Sequence, residues 1–192
     1  MIHPKYININ RILGAMTFLI SFIVYFDTMA PSVSYWDCGE FIAVSYTLGV
    51  PHPPGSPLFL LLGRIASMLP ISEDIAFRVN LLSPLASAFS VLFLYFIIVQ
   101  LVNHWRGKIE TNTDALIAFG AGIVGSLTFA FTDSHWFNAV EAEVYAFSTF
   151  FTAIVVWLAL LWSEKANEKG NERYILIIAY MIGLATGLHL LN

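Results

Sequence analysis

The stretch Pro57-Leu58-Phe59-Leu60-Leu61-Leu62-Gly63-Arg64-Ile65-Ala66-Ser67-Met68-Leu69 decides the fold. It is apolar enough to suggest a membrane span. Yet Pro70 ends it after 13 residues, and Arg64 sits inside it. At ~1.5 Å per residue, such a helix covers about 20 Å of a ~30 Å hydrocarbon core. A central arginine adds a penalty of roughly 2.5–3.5 kcal/mol. A short helix lying in the membrane interface avoids both costs.

The rest of the chain is that of a membrane protein. Of 192 residues, 58% are hydrophobic and only 11% charged, well below the ordinary share for a soluble domain. Apolar runs predict an all-α polytopic membrane helical bundle. About five spans are expected, at 12–30, 79–102, 115–131, 144–162 and 174–191, with an outer loop and interfacial helix over 31–78. The first run resembles a signal peptide at its start. It is longer than a usual hydrophobic signal core, and no Ala-x-Ala site follows. Pro84 lies inside the second run, and Gly120, Gly122 and Gly125 are expected as packing positions in the third. The last apolar run has no polar tail, which fits the N-terminal part of a longer module.

Lysine and arginine counts orient these spans. With 57–69 interfacial and the N-terminus cytoplasmic, Lys5, Arg11, Arg106, Lys108, Lys165, Lys169 and Arg173 lie inside. Arg64 and Arg78 lie outside. If 57–69 spanned, the balance would reverse and Arg64 would sit in the bilayer. The interfacial reading also puts Asp37, Glu40, His52, Asp133, His135, Glu141, Glu143 and the end bearing His189 on the outer side.

Those outer residues carry the candidate chemistry. Asp37 and Glu40 share a helix face at a spacing of three; their mutual repulsion is expected to raise one pKa and pair an acceptor with a donor. Tyr35 and Trp36 suit a membrane interface or a wall for stacking a sugar. In Pro51-His52-Pro53-Pro54-Gly55, the prolines stiffen the backbone that carries His52, which can bind phosphate, position an acceptor or ligate a metal. Glu141 and Glu143 diverge on a helix and point the same way in an extended loop, where they can hold a divalent cation or a sugar hydroxyl. They can equally cap the helix that follows. His135 and Trp136 precede them. Arg64 and Arg78 are candidates for an anionic lipid phosphate or for partners such as Glu73 and Asp74. His189 and Asn192 close the set. Cys38, the single cysteine, excludes a disulfide framework and is expected to react with thiol reagents from the outer side. The net charge of −4, with no basic run, gives no footing for nucleic acid.

Three segments carry a resemblance. Tyr35-Trp36-Asp37-Cys38-Gly39-Glu40-Phe41, His52-Pro53-Pro54-Gly55-Ser56-Pro57 and Glu141-Ala142-Glu143-Val144-Tyr145 resemble, in order, the transmembrane protein 260-like family of protein O-mannosyltransferases. The arrangement also resembles the GT-C fold of membrane glycosyltransferases. The resemblance implies a sugar, mannose in that family, moved with inversion from a polyprenyl-phosphate donor to a protein Ser/Thr or other hydroxyl. It implies Asp37 as base, with Glu40, Glu141 and Glu143 orienting the substrates or holding a divalent cation. Arg64, Arg78 or His52 would then meet the departing phosphate. Ser56 stands where the mannosyltransferases have a lysine shortly after His-Pro-Pro. The implied partners are membrane lipid, the lipid-linked donor and a protein acceptor. The implied setting is the periplasmic face of a bacterial inner membrane rather than the endoplasmic reticulum. A transporter or flippase, or a structural subunit, remains as an alternative.

Overall fold

The computed structural model describes residues 3–189. Among them the chain forms helices α1 (Pro4–Thr28), α2 (Cys38–Thr47), α3 (Pro57–Met68), α4 (Ile75–Asn80), α5 (Leu82–Arg106), α6 (Asn112–Ala130), α7 (Asp133–Ala139), α8 (Val144–Glu164) and α9 (Glu172–Ala185). Among the described residues, four helical segments are long and apolar enough to cross a membrane: Pro4–Thr28, Ile75–Arg106, Asn112–Ala130 and Val144–Glu164. The expected fifth span, 174–191, runs past the described residues, and within them its helix is shorter. α9 has 14 residues, about 21 Å at ~1.5 Å per residue, and turns at Thr186–Leu188. There the Gly187 carbonyl accepts from Leu58 N–H at 2.8 Å, which ties the turn to the start of α3.

The chain makes helices where its residues favour them. Pro4 opens α1 at a position whose N–H is unused anyway, so the helix begins well before the apolar run. Thr111 and Asp114 form a reciprocal capping box at the start of α6. Pro84 falls in the first turn of α5 rather than inside it. It has no N–H for the Asn80 carbonyl, and its ring crowds that group; α4 and α5 accordingly part at Leu81. Of the three glycines in α6, two are packing positions. A Cβ at Gly122 would stand 2.8 Å from Tyr95, and one at Gly125 would stand 2.7 Å from Ile98. Gly120 faces open space instead.

α5 is the central helix. It packs against α1, α6 and α8. Tyr95 joins it to α1 through Asn10 Oδ1 at 3.0 Å. At one end of the bundle, Tyr6 donates to Asn112. At the other, Tyr25 donates to the Ala130 carbonyl and Ala30 N–H to the Val140 carbonyl. The loop helices sit at this second end. Gly63 of α3 packs directly on Ser45 of α2, and Phe59 stacks edge-on between Phe41 and Phe147. The opposite face of α3 exposes Leu61, Ile65 and Met68 along one stripe. A 12-residue helix with a packed face and an apolar outer stripe fits the interfacial reading of the deciding stretch.

Candidate active site

Four segments meet at the end of the bundle that carries α2 and α3, and a single side chain joins three of them. Asn80, fully buried at the end of α4, donates through Nδ2 to the carbonyls of Ala30 (2.9 Å) and Ser32 (2.8 Å). Its Oδ1 accepts from Ala142 N–H at 3.1 Å and from Cys38 Sγ at 3.6 Å. It thus fixes the chain after α1, the start of α2 and the Glu141–Glu143 loop. Asn80 was not among the residues picked out from sequence. An asparagine opening a long apolar run was the available signal, since a buried amide there needs partners.

Asp37 is the N-cap residue of α2, and its side chain makes no capping hydrogen bond. Its carboxylate is therefore left to the surface of the site. Trp36 before it takes a left-handed backbone (φ 58°) and is 84% exposed. One helical turn on, Glu40 receives two hydrogen bonds from His52. The His52 backbone N–H donates to Oε1 and the ring Nδ1 pairs with Oε2, both at 2.7 Å. The far ring nitrogen, Nε2, stands 3.9 Å from Asp37 Oδ2. His52 is thus an imidazole bridge between the two acids. Gly55, at φ 86°, turns the chain back so that its N–H bonds the His52 carbonyl.

The electrostatics differ from the simple acid pair expected. The hydrogen bond from His52 holds the Glu40 carboxyl below its usual range, and the same bond holds the imidazole above its own. The raised carboxyl is Glu143, pushed up to about 7, first by burial and then by the charges of Asp37 and Glu141. The acid that stays near neutrality thus comes from a different loop, about a hundred residues away.

Glu141 and Glu143 are 4% and 7% exposed. Glu143 has extended backbone at the N-cap of α8 but makes no side-chain cap bond, so capping does not account for its carboxylate. Both glutamates line a cleft of about 200 Å³ with Asp37, Trp36, Phe137 and Tyr145. Glu141 Oε1 is buried there without a hydrogen-bond partner. A smaller recess adjoins it, sharing Asp37, Glu143 and Tyr145 and adding His52 and His189. The His189 ring lies 5.8 Å from that of Tyr145.

The structure therefore brings together Asp37, Glu40, His52, Glu141, Glu143 and His189. It places the other candidates elsewhere. His135 is buried between Phe129 (4.3 Å) and Tyr25 (6.0 Å), and burial pushes its imidazole down to about 4. Trp136 donates to Thr28 Oγ1 at 3.0 Å and fastens α7 to α1. Arg64 donates to the Tyr46 carbonyl (2.6 Å) and lies over the Tyr46 ring. Arg78 is held by the carbonyls of Ser72 and Ser67 at 2.6 and 2.8 Å. Neither arginine lines either cleft. Asn192 lies outside the described residues. Cys38, expected to be reactive, is fully buried, and burial pushes its thiol up. As for cations, ligand atoms of Asp37, Glu40 and His52 lie within 4.8 Å of one another. Among the described residues, Glu141 and Glu143 belong to no such group of three. An ion there would compete with the proton that His52 shares with Glu40.

Helices able to cross a membrane define an integral multi-pass membrane protein, and one end of it carries an acid-lined cleft with two imidazoles in the adjoining recess. Residues 37–192 match the family model described as the protein O-mannosyl-transferase TMEM260 N-terminal domain, and the chain belongs to that family. It is 30% identical over 162 residues to a Dictyostelium discoideum protein named protein O-mannosyl-transferase tmem260. That alignment covers 83% of this chain and 18% of the relative. It is 29% identical over 162 residues to the Mus musculus protein O-mannosyl-transferase TMEM260, covering 84% of this chain and 21% of the relative. The chain thus spans about a fifth of the length of these relatives. No solved structure matches it.

Proposed function

We propose that this chain forms the catalytic end of a GT-C-type membrane glycosyltransferase. It would move a sugar, mannose by family, from a polyprenyl-phosphate donor to a protein hydroxyl. The observation that carries this reading is one cleft. It joins an exposed carboxylate, Asp37, to two buried ones, Glu141 and Glu143, beneath the aromatic side chains Trp36, Phe137 and Tyr145. Aromatic faces stack on sugar C–H surfaces, and buried carboxylates accept from sugar hydroxyls. Glu141 lines this cleft with its Oε1 buried and unpartnered, so a small side-chain rotation would offer that oxygen to a sugar hydroxyl.

Asp37 is the general base. It takes the acceptor hydroxyl proton as that oxygen bonds to sugar C1, and the C1–O bond to phosphate breaks on the opposite face. The electron pair leaves with the polyprenyl phosphate, so the configuration inverts. His52, whose imidazole the Glu40 hydrogen bond holds above its usual range, is the group here able to supply positive charge as the phosphate gains negative charge. Glu143, partly protonated near neutrality, can donate to a sugar oxygen as well as accept. Asp37, Glu40 and His52 are the residues that can hold a divalent cation. The cation bias of the other bundle end supports a cytoplasmic N-terminus and a site on the periplasmic or lumenal face.

The test is transfer of radiolabelled sugar from a polyprenyl-phosphate donor by the full-length protein. Asp37→Asn is expected to lower the rate by about 10²–10⁴-fold, the usual worth of a general base. Unchanged transfer in that variant rules out the assignment.

A further inference from the structure

A second cavity, of about 490 Å³, opens between α1, α5 and α8 at the end of the bundle away from Asp37. Its chemistry is divided. Ile7, Phe96, Val99, Trp157 and Leu161 form apolar walls, while Arg11, Gln100, Glu164 and Lys165 lie among its polar lining. We propose that this cavity holds one membrane glycerophospholipid, with its phosphodiester on Arg11 and Lys165 and an acyl chain along the apolar walls.

Three observations support the occupant. First, the ionic lining is Arg11 and Lys165 against Glu164, a surplus of one positive charge, which matches a single phosphodiester. Arg11 forms no ion pair among the described residues. The Lys165 ammonium makes a long 3.4 Å hydrogen bond to the Tyr174 hydroxyl and has donors to spare. Second, Gln100 lines the cavity, and its Nε2, buried in the wall, lacks an acceptor that a rotation of the amide brings within reach of the cavity. A phosphate oxygen supplies one. Third, cations and apolar walls meet at the ends of candidate membrane spans, where lipid headgroups lie. Arginine and lysine between such helices are suited to lipid phosphate. The site is separate from the acid cleft and does not depend on the proposed reaction.

Native mass spectrometry of the detergent-purified full chain, titrated with phosphatidylglycerol, tests this. Wild type is expected to retain one lipid. The Arg11→Gln/Lys165→Gln double variant should bind it roughly tenfold or more weakly, because a buried phosphate loses both charged partners. Arg173→Gln, a cation of the same end outside the cavity, should bind as wild type does. Arg11→Lys keeps the charge and should retain the lipid, which separates loss of the site from loss of the fold. Equal retention by the double variant overturns the proposal. So does displacement of the lipid by inorganic phosphate, which would mark a site for free anions.

Discussion

Asn80 Oδ1 accepts the backbone N–H of Ala142, the residue between the two buried glutamates, at 3.1 Å. That bond crosses 62 residues of sequence and sets the position of Glu141 and Glu143 relative to Asp37. Asn80→Leu keeps the size and removes every bond. It leaves the Ala142 N–H and the carbonyls of Ala30 and Ser32 in need of partners, each a loss of about 1–3 kcal/mol if left buried. The variant should melt well below wild type in a thermal-shift assay. Even the fraction that stays folded should transfer sugar roughly 10²-fold more slowly, since small misplacements cost that much. A wild-type rate in folded Asn80→Leu would show that the amide holds the fold but does not set the site.

His52 and Glu40 should behave as a unit. His52 carries positive charge to higher pH than a free imidazole because Glu40 accepts its Nδ1 proton. Glu40→Gln removes the negative partner, so the imidazole should lose its proton at lower pH. The alkaline limb of the transfer rate, measured against pH, should therefore move to lower pH in Glu40→Gln. His52→Ala should abolish that limb and lower the rate at all pH values. An alkaline limb unchanged in Glu40→Gln means that the limb belongs to another group.

How much of this was open to a reader of the sequence follows from what kind of contact each residue makes. Helix positions and the shortness of 57–69 follow from local apolar runs and prolines. The gathering of Asp37, His52 and Glu141 at one end follows from alternating spans. Neither needs side-chain geometry. The partner of each acid is a different matter. Glu40 looked like the twin of Asp37 because they are three residues apart. Its actual partner, His52, lies beyond the α2 helix and a turn. Arg64 and Arg78 looked like lipid contacts because a cation near a membrane is costly alone. Both find loop carbonyls, Tyr46 for one and Ser67 and Ser72 for the other, and backbone acceptors leave no mark in a sequence. Asn80 was missed for the same reason: three of its four partners are backbone groups.

Glu143 makes stability depend on pH in a defined direction. Its folded pKa, about 7, lies above the value of about 4.3 for an unfolded glutamate. The protonated carboxyl is the form the folded protein favours. Its contribution is complete below the unfolded pKa and is lost as pH rises through about 7. The full difference is on the order of 4 kcal/mol. Wild type should therefore lose thermal stability between about pH 4.5 and 7.5 through this residue. Glu143→Gln, neutral throughout, should remove most of that slope in melts followed by tryptophan fluorescence. A slope equal to that of wild type would exclude Glu143 as its source.

Cys38 offers a probe of the same framework from the other side. It is fully buried, its thiol held against Asn80 Oδ1, and burial raises its pKa. Both effects disfavour the thiolate that reacts with maleimides. In native membranes Cys38 should resist an impermeant maleimide added to either side, while detergent denaturation should expose it fully. Asn80→Leu removes the amide that closes the cleft over the sulfur. In that variant labelling should speed up roughly tenfold or more, because local opening needs fewer bonds broken. The side from which the reagent then reaches Cys38 also reports which face of the membrane carries Asp37, its immediate neighbour in the chain. Rapid labelling of the native wild-type protein would contradict the buried thiol and the three-way junction around Asn80 together.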